Sequence, residues 1–155
     1  MHRHYLLIPL ACLALTACLP APQPRRIDNV AWSAVPPVTA DDYELRDPAS
    51  FGLSGQESLA EAGAIIQARL SPSEAPGGNY AEMVDIYSAR IIGENGGIVA
   101  LTQDNLPDDS VLAVQHVVSF RVDRETDAAA PQAYGIRQKC RRGSDPGVWT
   151  AQPCP

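Results

Sequence analysis

A chain of 155 residues is long enough for one ordinary domain and short for two, and its 45% apolar content supports a packed core rather than wholesale disorder. A net charge of −6 with only 19% charged residues excludes nucleic-acid binding driven by overall charge, and no apolar run reaches the roughly 18–20 residues of a spanning helix. Fourteen prolines require extended or loop chain, and four cysteines make the redox compartment an early question.

Residues 1–17 have the layout of an export signal. Arg3, beside His2 and His4, gives a weakly positive start, and an apolar stretch runs from Tyr5 to Leu15, broken by Pro9. The stretch ends in Leu15-Thr16-Ala17-Cys18. This resembles the lipobox of bacterial lipoproteins, in which a leucine, two small residues and a cysteine precede the folded chain. The resemblance implies a diacylglyceryl group on the Cys18 thiol, cleavage before Cys18 by lipoprotein signal peptidase, and acylation (palmitate or similar) of the new amine. An ordinary signal-peptidase site needs a small residue three before the cut, and Leu15 is too large. In that family an aspartate after the cysteine favours the inner membrane. Leu19 therefore implies the outer membrane, facing the periplasm.

Loss of residues 1–17 removes Arg3, His2, His4 and Cys12. The net charge moves from −6 to −7, and His116 becomes the sole histidine. With Cys18 lipidated, Cys140 and Cys154 form an even pair, and an oxidising compartment predicts one disulfide between them. Without a CxxC motif and with one distant histidine, a zinc site is not expected.

From Cys18 to Ser50 the chain carries Pro20, Pro22, Pro24, Pro36, Pro37 and Pro48 with little periodicity. It is expected to be a semi-rigid tether reaching on the order of 90 Å at about 3.1 Å per residue. The pieces Val30–Trp32 and Asp42–Leu45 are candidates to dock on the domain. A helix follows, with Ser54 and Glu57 as its expected capping box and Leu59, Ala62, Ile66 and Leu70 on one face. Ser71-Pro72 stops it.

The remainder reads as antiparallel sheet. Tyr80 to Ile92 is rich in β-formers, and Asn95-Gly96 is expected to turn a hairpin into a strand from Ile98. Val111 to Asp123 alternates strictly, with Leu112, Val114, His116, Val118, Phe120 and Val122 on one side. Gln132 to Arg142 is the last expected strand, Tyr134, Ile136 and Cys140 on one side and Arg137, Lys139 and Arg141 on the other. One helix over a meander of about four strands is an α+β fold. Its element order is similar to the cystatin-like or NTF2-like layout, by analogy only. The expected organisation is a signal peptide (1–17), a lipidated tether (18–50) and one domain (51–155).

Residues with chemical potential are few. His116 lies on an apolar stripe, where a half-buried, hydrogen-bonded histidine is the ordinary outcome. The alternative is a small-ligand pocket between helix and sheet at His116, Tyr87 and Phe120. Asp104, Asp108 and Asp109 share one loop without the spacing of a calcium site. No nucleophile sits in a catalytic motif, because Gly52-Leu53-Ser54-Gly55 is explained as a helix start. Arg121, Arg137, Lys139, Arg141 and Arg142 are expected on or near one outer face, as a candidate contact for an envelope protein or anionic polymer. The sequence thus predicts a non-enzymatic envelope interaction module joined to the membrane by its lipid, with no cofactor, no metal and no nucleic-acid partner.

Overall fold

The computed structural model describes residues 25–28, 37–74, 76–91 and 94–155, with the backbone alone at 25–28, 89–91 and 94–95. The signal, the lipobox and Val30–Trp32 lie outside the described residues. The fold is α+β: strands β1 (Arg25–Asp28) and β2 (Glu44–Arg46), helix α1 (Leu59–Leu70), then β3 (Ala81–Ile91), β4 (Glu94–Asp104), β5 (Val111–Val122), β6 (Ala129–Cys140) and β7 (Trp149–Thr150).

The four long strands form the expected antiparallel meander, but the sheet has seven strands, not about four. Its order is β1-β3-β4-β5-β6-β2, and β7 also pairs with β6. The additions are short. Strand β1 runs parallel to β3, Arg25 beside Asp85 and Asp28 beside Ser88. Strand β2 covers Tyr134–Ile136 of β6, while β7 covers Gln138 and Lys139. Strands β1 and β2 both fall in the stretch expected to be tether. Tyr43, just before β2, is 1% exposed, so packed structure begins well before residue 51.

Helix α1 starts four residues later than expected because two Ser-x-x-Glu boxes stand in series. Ser58 and Glu61 form the capping box, with the Glu61 carboxylate accepting from Ser58 N at 2.8 Å and Ser58 Oγ accepting from Glu61 N at 3.3 Å. The earlier box closes on itself instead. Glu57 accepts from Ser54 N, Ser54 Oγ and Gly55 N at 2.8–3.0 Å, and Gly55 has φ +80°, which a helix cannot use. Ala62 and Ile66 are fully buried, Leu59 and Leu70 partly, and Ser71 ends the helix as its C-cap.

The Asn95-Gly96 signal is also resolved differently. Ile91 pairs with Glu94, and Asn95 and Gly96 lie in the ladder opposite Arg90 and Ala89. The glycine signal here belongs to packing. A Cβ on Gly97 would fall 2.5 Å from Leu59 Cδ1, so this strand position is bare to let α1 approach.

The sheet has two cores. On the helix side Ile66, Val84, Ile86, Val99, Leu101, Val118 and Phe120 pack together, with Phe51 from a 3₁₀ turn (Pro48–Phe51) edge-on to Tyr134 at 4.8 Å. Burial of each large aliphatic side chain there contributes about 1.5–3 kcal/mol. On the back, Tyr43 and Val38 lie over Ile98, Ala100 and Val117. A Cβ on Gly135 would sit 2.6 Å from Tyr43 Cβ, so the covering segment rests directly on bare backbone. Cys140 and Cys154 form a disulfide with Cα atoms 5.3 Å apart, fixing the tail beside β6.

Candidate functional site

At one end of the sheet a cleft of about 830 Å³ opens where β5 turns into β6. Gln56, Gly96, Phe120, Arg121, Arg124 and Gln132 are among the residues lining it. Local hydrogen bonds build it. The Asp123 carboxylate accepts from Glu125 N, Thr126 N and Thr126 Oγ1 at 2.9–3.0 Å, and Asp123 N donates to Ala128 O at 2.8 Å. These bonds fix the β5–β6 turn and hold the Asp123 carboxyl below its ordinary pKa. The facing wall is the Ser54–Glu57 loop, joined to β6 by Ala129 N donating to Glu57 O at 2.8 Å. Its hydrogen bonds to Ser54, the largest cause, lower the Glu57 pKa to about 2. Both carboxylates therefore serve the walls and stay ionised.

A register shift between Ser119 and Phe120 leaves Gln132 as an extra residue on β6, with Pro131 tolerated at the irregularity. Arg121 lies opposite Gly96 and Ala130, is exposed, and has no hydrogen-bond or ion-pair partner among the described residues. Arg124, which has an interaction of its own, also lines the cleft, so Arg121 is the guanidinium there suited to carboxylate or phosphate oxygens.

The five basic residues predicted on one outer face do not gather there. Arg121, Arg137 and Lys139 do point to the same side, but that side is not open. Tyr43 covers its centre, and Arg137 is only 7% exposed. Arg137 Nε donates to Gln115 Oε1 at 2.8 Å, and its guanidinium lies between the Tyr43 and Trp149 rings, 5.2 and 5.0 Å from their centroids. Gln115 Nε2 donates in turn to Thr102 Oγ1 at 2.9 Å. Lys139 Nζ lies 4.7 Å from the Trp149 ring centroid. Arg121 is six residues along β5 from Gln115, about 20 Å away.

Arg141 and Arg142 brace the β4–β5 loop at the opposite end. Arg141 donates to Asp108 O and Leu106 O at 3.0 and 2.9 Å, and Arg142 pairs with Asp109 at 3.0 Å. Asp108 in turn accepts from Ser110 N and Val111 N, both at 2.7 Å. The loop's carboxylates are thus engaged by its own backbone at Asp108 and by Arg142 at Asp109. Among the described residues no group of three or more histidine, cysteine, aspartate or glutamate side chains is placed to hold a metal ion.

His116, Tyr87 and Phe120 do not form one pocket. Tyr87 belongs to the back-face core, whereas His116 and Phe120 lie on the helix side. His116 Nδ1 and the Tyr134 hydroxyl share a hydrogen bond of 2.7 Å, and burial pushes the His116 pKa down to about 4. The imidazole is neutral at ordinary pH and held by Tyr134. Phe120, 3% exposed, instead contributes to the arginine-lined cleft.

Sequence reasoning had Arg121 and Phe120 but not their meeting place, and missed Arg124, Gln56 and Gln132. The usable signal was Asp123 followed three residues on by Thr126, which marks a turn capped by its own carboxylate. Comparison with known proteins finds no matching family model, no matching curated protein and no matching solved structure.

Proposed function

We propose that this chain is a lipid-anchored bacterial envelope protein whose domain is a non-enzymatic interaction module. The observation that carries the reading is Leu15-Thr16-Ala17-Cys18 following a signal-like apolar stretch. The Cys140–Cys154 disulfide supports it in two ways. Such bonds persist in oxidising compartments such as the periplasm, and pairing of Cys140 with Cys154 leaves Cys18 as the one cysteine after the signal-like stretch that the pair does not account for. Two or three acyl chains give stable anchoring, where one is marginal. Leu19 favours the outer membrane, facing the periplasm.

The contact surface best supported by geometry is the Arg121–Arg124 cleft, and the partner class is an envelope protein or polymer bearing carboxylate or phosphate groups. Binding rather than catalysis is favoured because the lining residues include no histidine, cysteine or serine, and the Asp123 carboxylate is held by its own turn. The small-ligand alternative survives only in this relocated form, at Phe120 and Arg121 rather than at His116 and Tyr87. The order of helix then four-stranded meander supports a cystatin-like layout as analogy.

The reading is tested in intact cells by labelling with a palmitate analogue, together with photo-crosslinking from Gln132. Wild-type chain takes up label and yields a reproducible crosslink weakened by Arg121→Glu, while Cys18→Ser takes up none. Label retained in Cys18→Ser refutes the anchor, and a crosslink pattern indifferent to Arg121→Glu refutes the contact site.

A further inference from the structure

The anchor and the sheet are much closer together than the proline content suggests. Strand β1 begins at Arg25, so only the six residues 19–24 separate it from Cys18. Seven residue steps span about 22–25 Å even when extended. Pro20, Pro22 and Pro24 favour extension. Because β1 is parallel to β3, the Arg25 end of β1 points toward the Ala81 end of β3.

That end carries the disulfide. Ala81 pairs with Asp104, Asp104 with Ala113, and Ala113 with Lys139, next to Cys140. Arg25 stands beside Asp85, four residues above this row, which is about 13 Å of strand. Even fully extended, a leash of that length reaches at most roughly 10 Å beyond the end of the sheet. The α1–β3, β4–β5 and β6–β7 loops lie at this end. Two of the large apolar side chains exposed among the described residues, Met83 and Val148 at 43% and 58%, lie toward this end. The arginine-lined cleft is at the other end, four residues past the Arg25 row at Gly96 and beyond.

We propose that the disulfide end of the domain faces the lipid surface at close range and that the Arg121–Arg124 cleft is turned away from it. The inference rests on lipidation of Cys18. Its partner is the lipid surface itself, chosen on leash length rather than charge, since at this end Arg141 and Arg142 are set against Asp104, Asp108 and Asp109. A ligand of the cleft then approaches from the aqueous side.

The test uses the acylated full-length protein in phosphatidylcholine vesicles carrying an acceptor dye on a fraction of headgroups. A donor dye is attached through an encoded azide residue at Asn79, in the loop before β3, or at Thr126, in the β5–β6 turn. Both positions are exposed. Energy transfer is expected to be at least twofold greater from position 79. Inserting twenty Gly/Ser residues after Pro24 should erase the difference. Equal transfer from the two positions in protein that floats with the vesicles, or greater transfer from 126, overturns the orientation alone. Protein that does not float overturns the anchoring reading, and the orientation with it.

Discussion

The two faces of the sheet are both buried, but by different means. The helix side is closed by α1, its sequence neighbour, and its core is apolar: Ile66, Leu101, Val118 and Phe120 are all within 3% of full burial. The back is closed by Val38 and Tyr43, which meet β6 some ninety residues later in the chain, and its core mixes Ile98 and Val117 with Gln115, Arg137 and Asp85. An apolar layer over an apolar strand face is specified by periodicity. A charged side chain between aromatic rings depends on distant partners arriving in register.

The largest test of this contrast is to truncate one residue on each side. Tyr43→Ala is expected to cost about 3–5 kcal/mol and Ile66→Ala about 2–5 kcal/mol in urea unfolding. A cost below about 1 kcal/mol for Tyr43→Ala would mean that the 37–43 segment is a loose drape and that the back face is effectively open.

The disulfide bears on the back face through Trp149, which lies over Arg137 and Lys139. The bond spans a sequence separation of 14 and is worth about 3 kcal/mol in the chain-entropy model. Reductant should lower the melting temperature and reduce the near-ultraviolet signal of Trp149. An unchanged melting temperature would show that β7 holds without it.

On the helix side, His116 makes stability depend on pH. Its folded pKa of about 4 lies below the ordinary 6.5, so between those values the unfolded chain binds the extra proton. Stability from this group is full above about pH 6.5 and falls toward pH 4, by at most about 1.4 kcal/mol per pH unit. His116→Gln should flatten that limb in unfolding measured from pH 7 to 4.5. An identical slope in the variant would assign the loss to carboxylates.

What was legible follows the same division. Strand β5 could be read within a residue because its alternation is local, and α1 was recognised from Leu59, Ala62, Ile66 and Leu70. Its start was misplaced because Ser54/Glu57 and Ser58/Glu61 satisfy the same pattern, and only the backbone at Gly55 separates them. Arg137 was placed on the correct side, but alternation says which side a residue faces and not what covers that side. Asn95-Gly96 looked like a turn, and Gly97 beside it is bare for packing, because a bare position looks alike whether it bends the chain or admits a leucine from a helix. The cleft was illegible because Arg121 and Gln132 flank a bulge in the β5–β6 hairpin, and Gln56 comes from a distant loop joined to β6 through the hydrogen bond from Ala129 to Glu57.

The short strands have one more effect. The meander alone would expose the long outer edges of β3 and β6, each a row of unpaired amides able to recruit another chain. Strand β1 occupies Asp85–Ser88 of one edge, and β2 with β7 occupies Tyr134–Ile136 and Gln138–Lys139 of the other. Among the described residues, what remains outermost is the short strands themselves, Ala81–Val84 and Ala89–Ile91 of β3, and Ala129–Ala133 of β6, which Pro131 interrupts. The short strands thereby shorten the edge that a second copy of this chain could pair with.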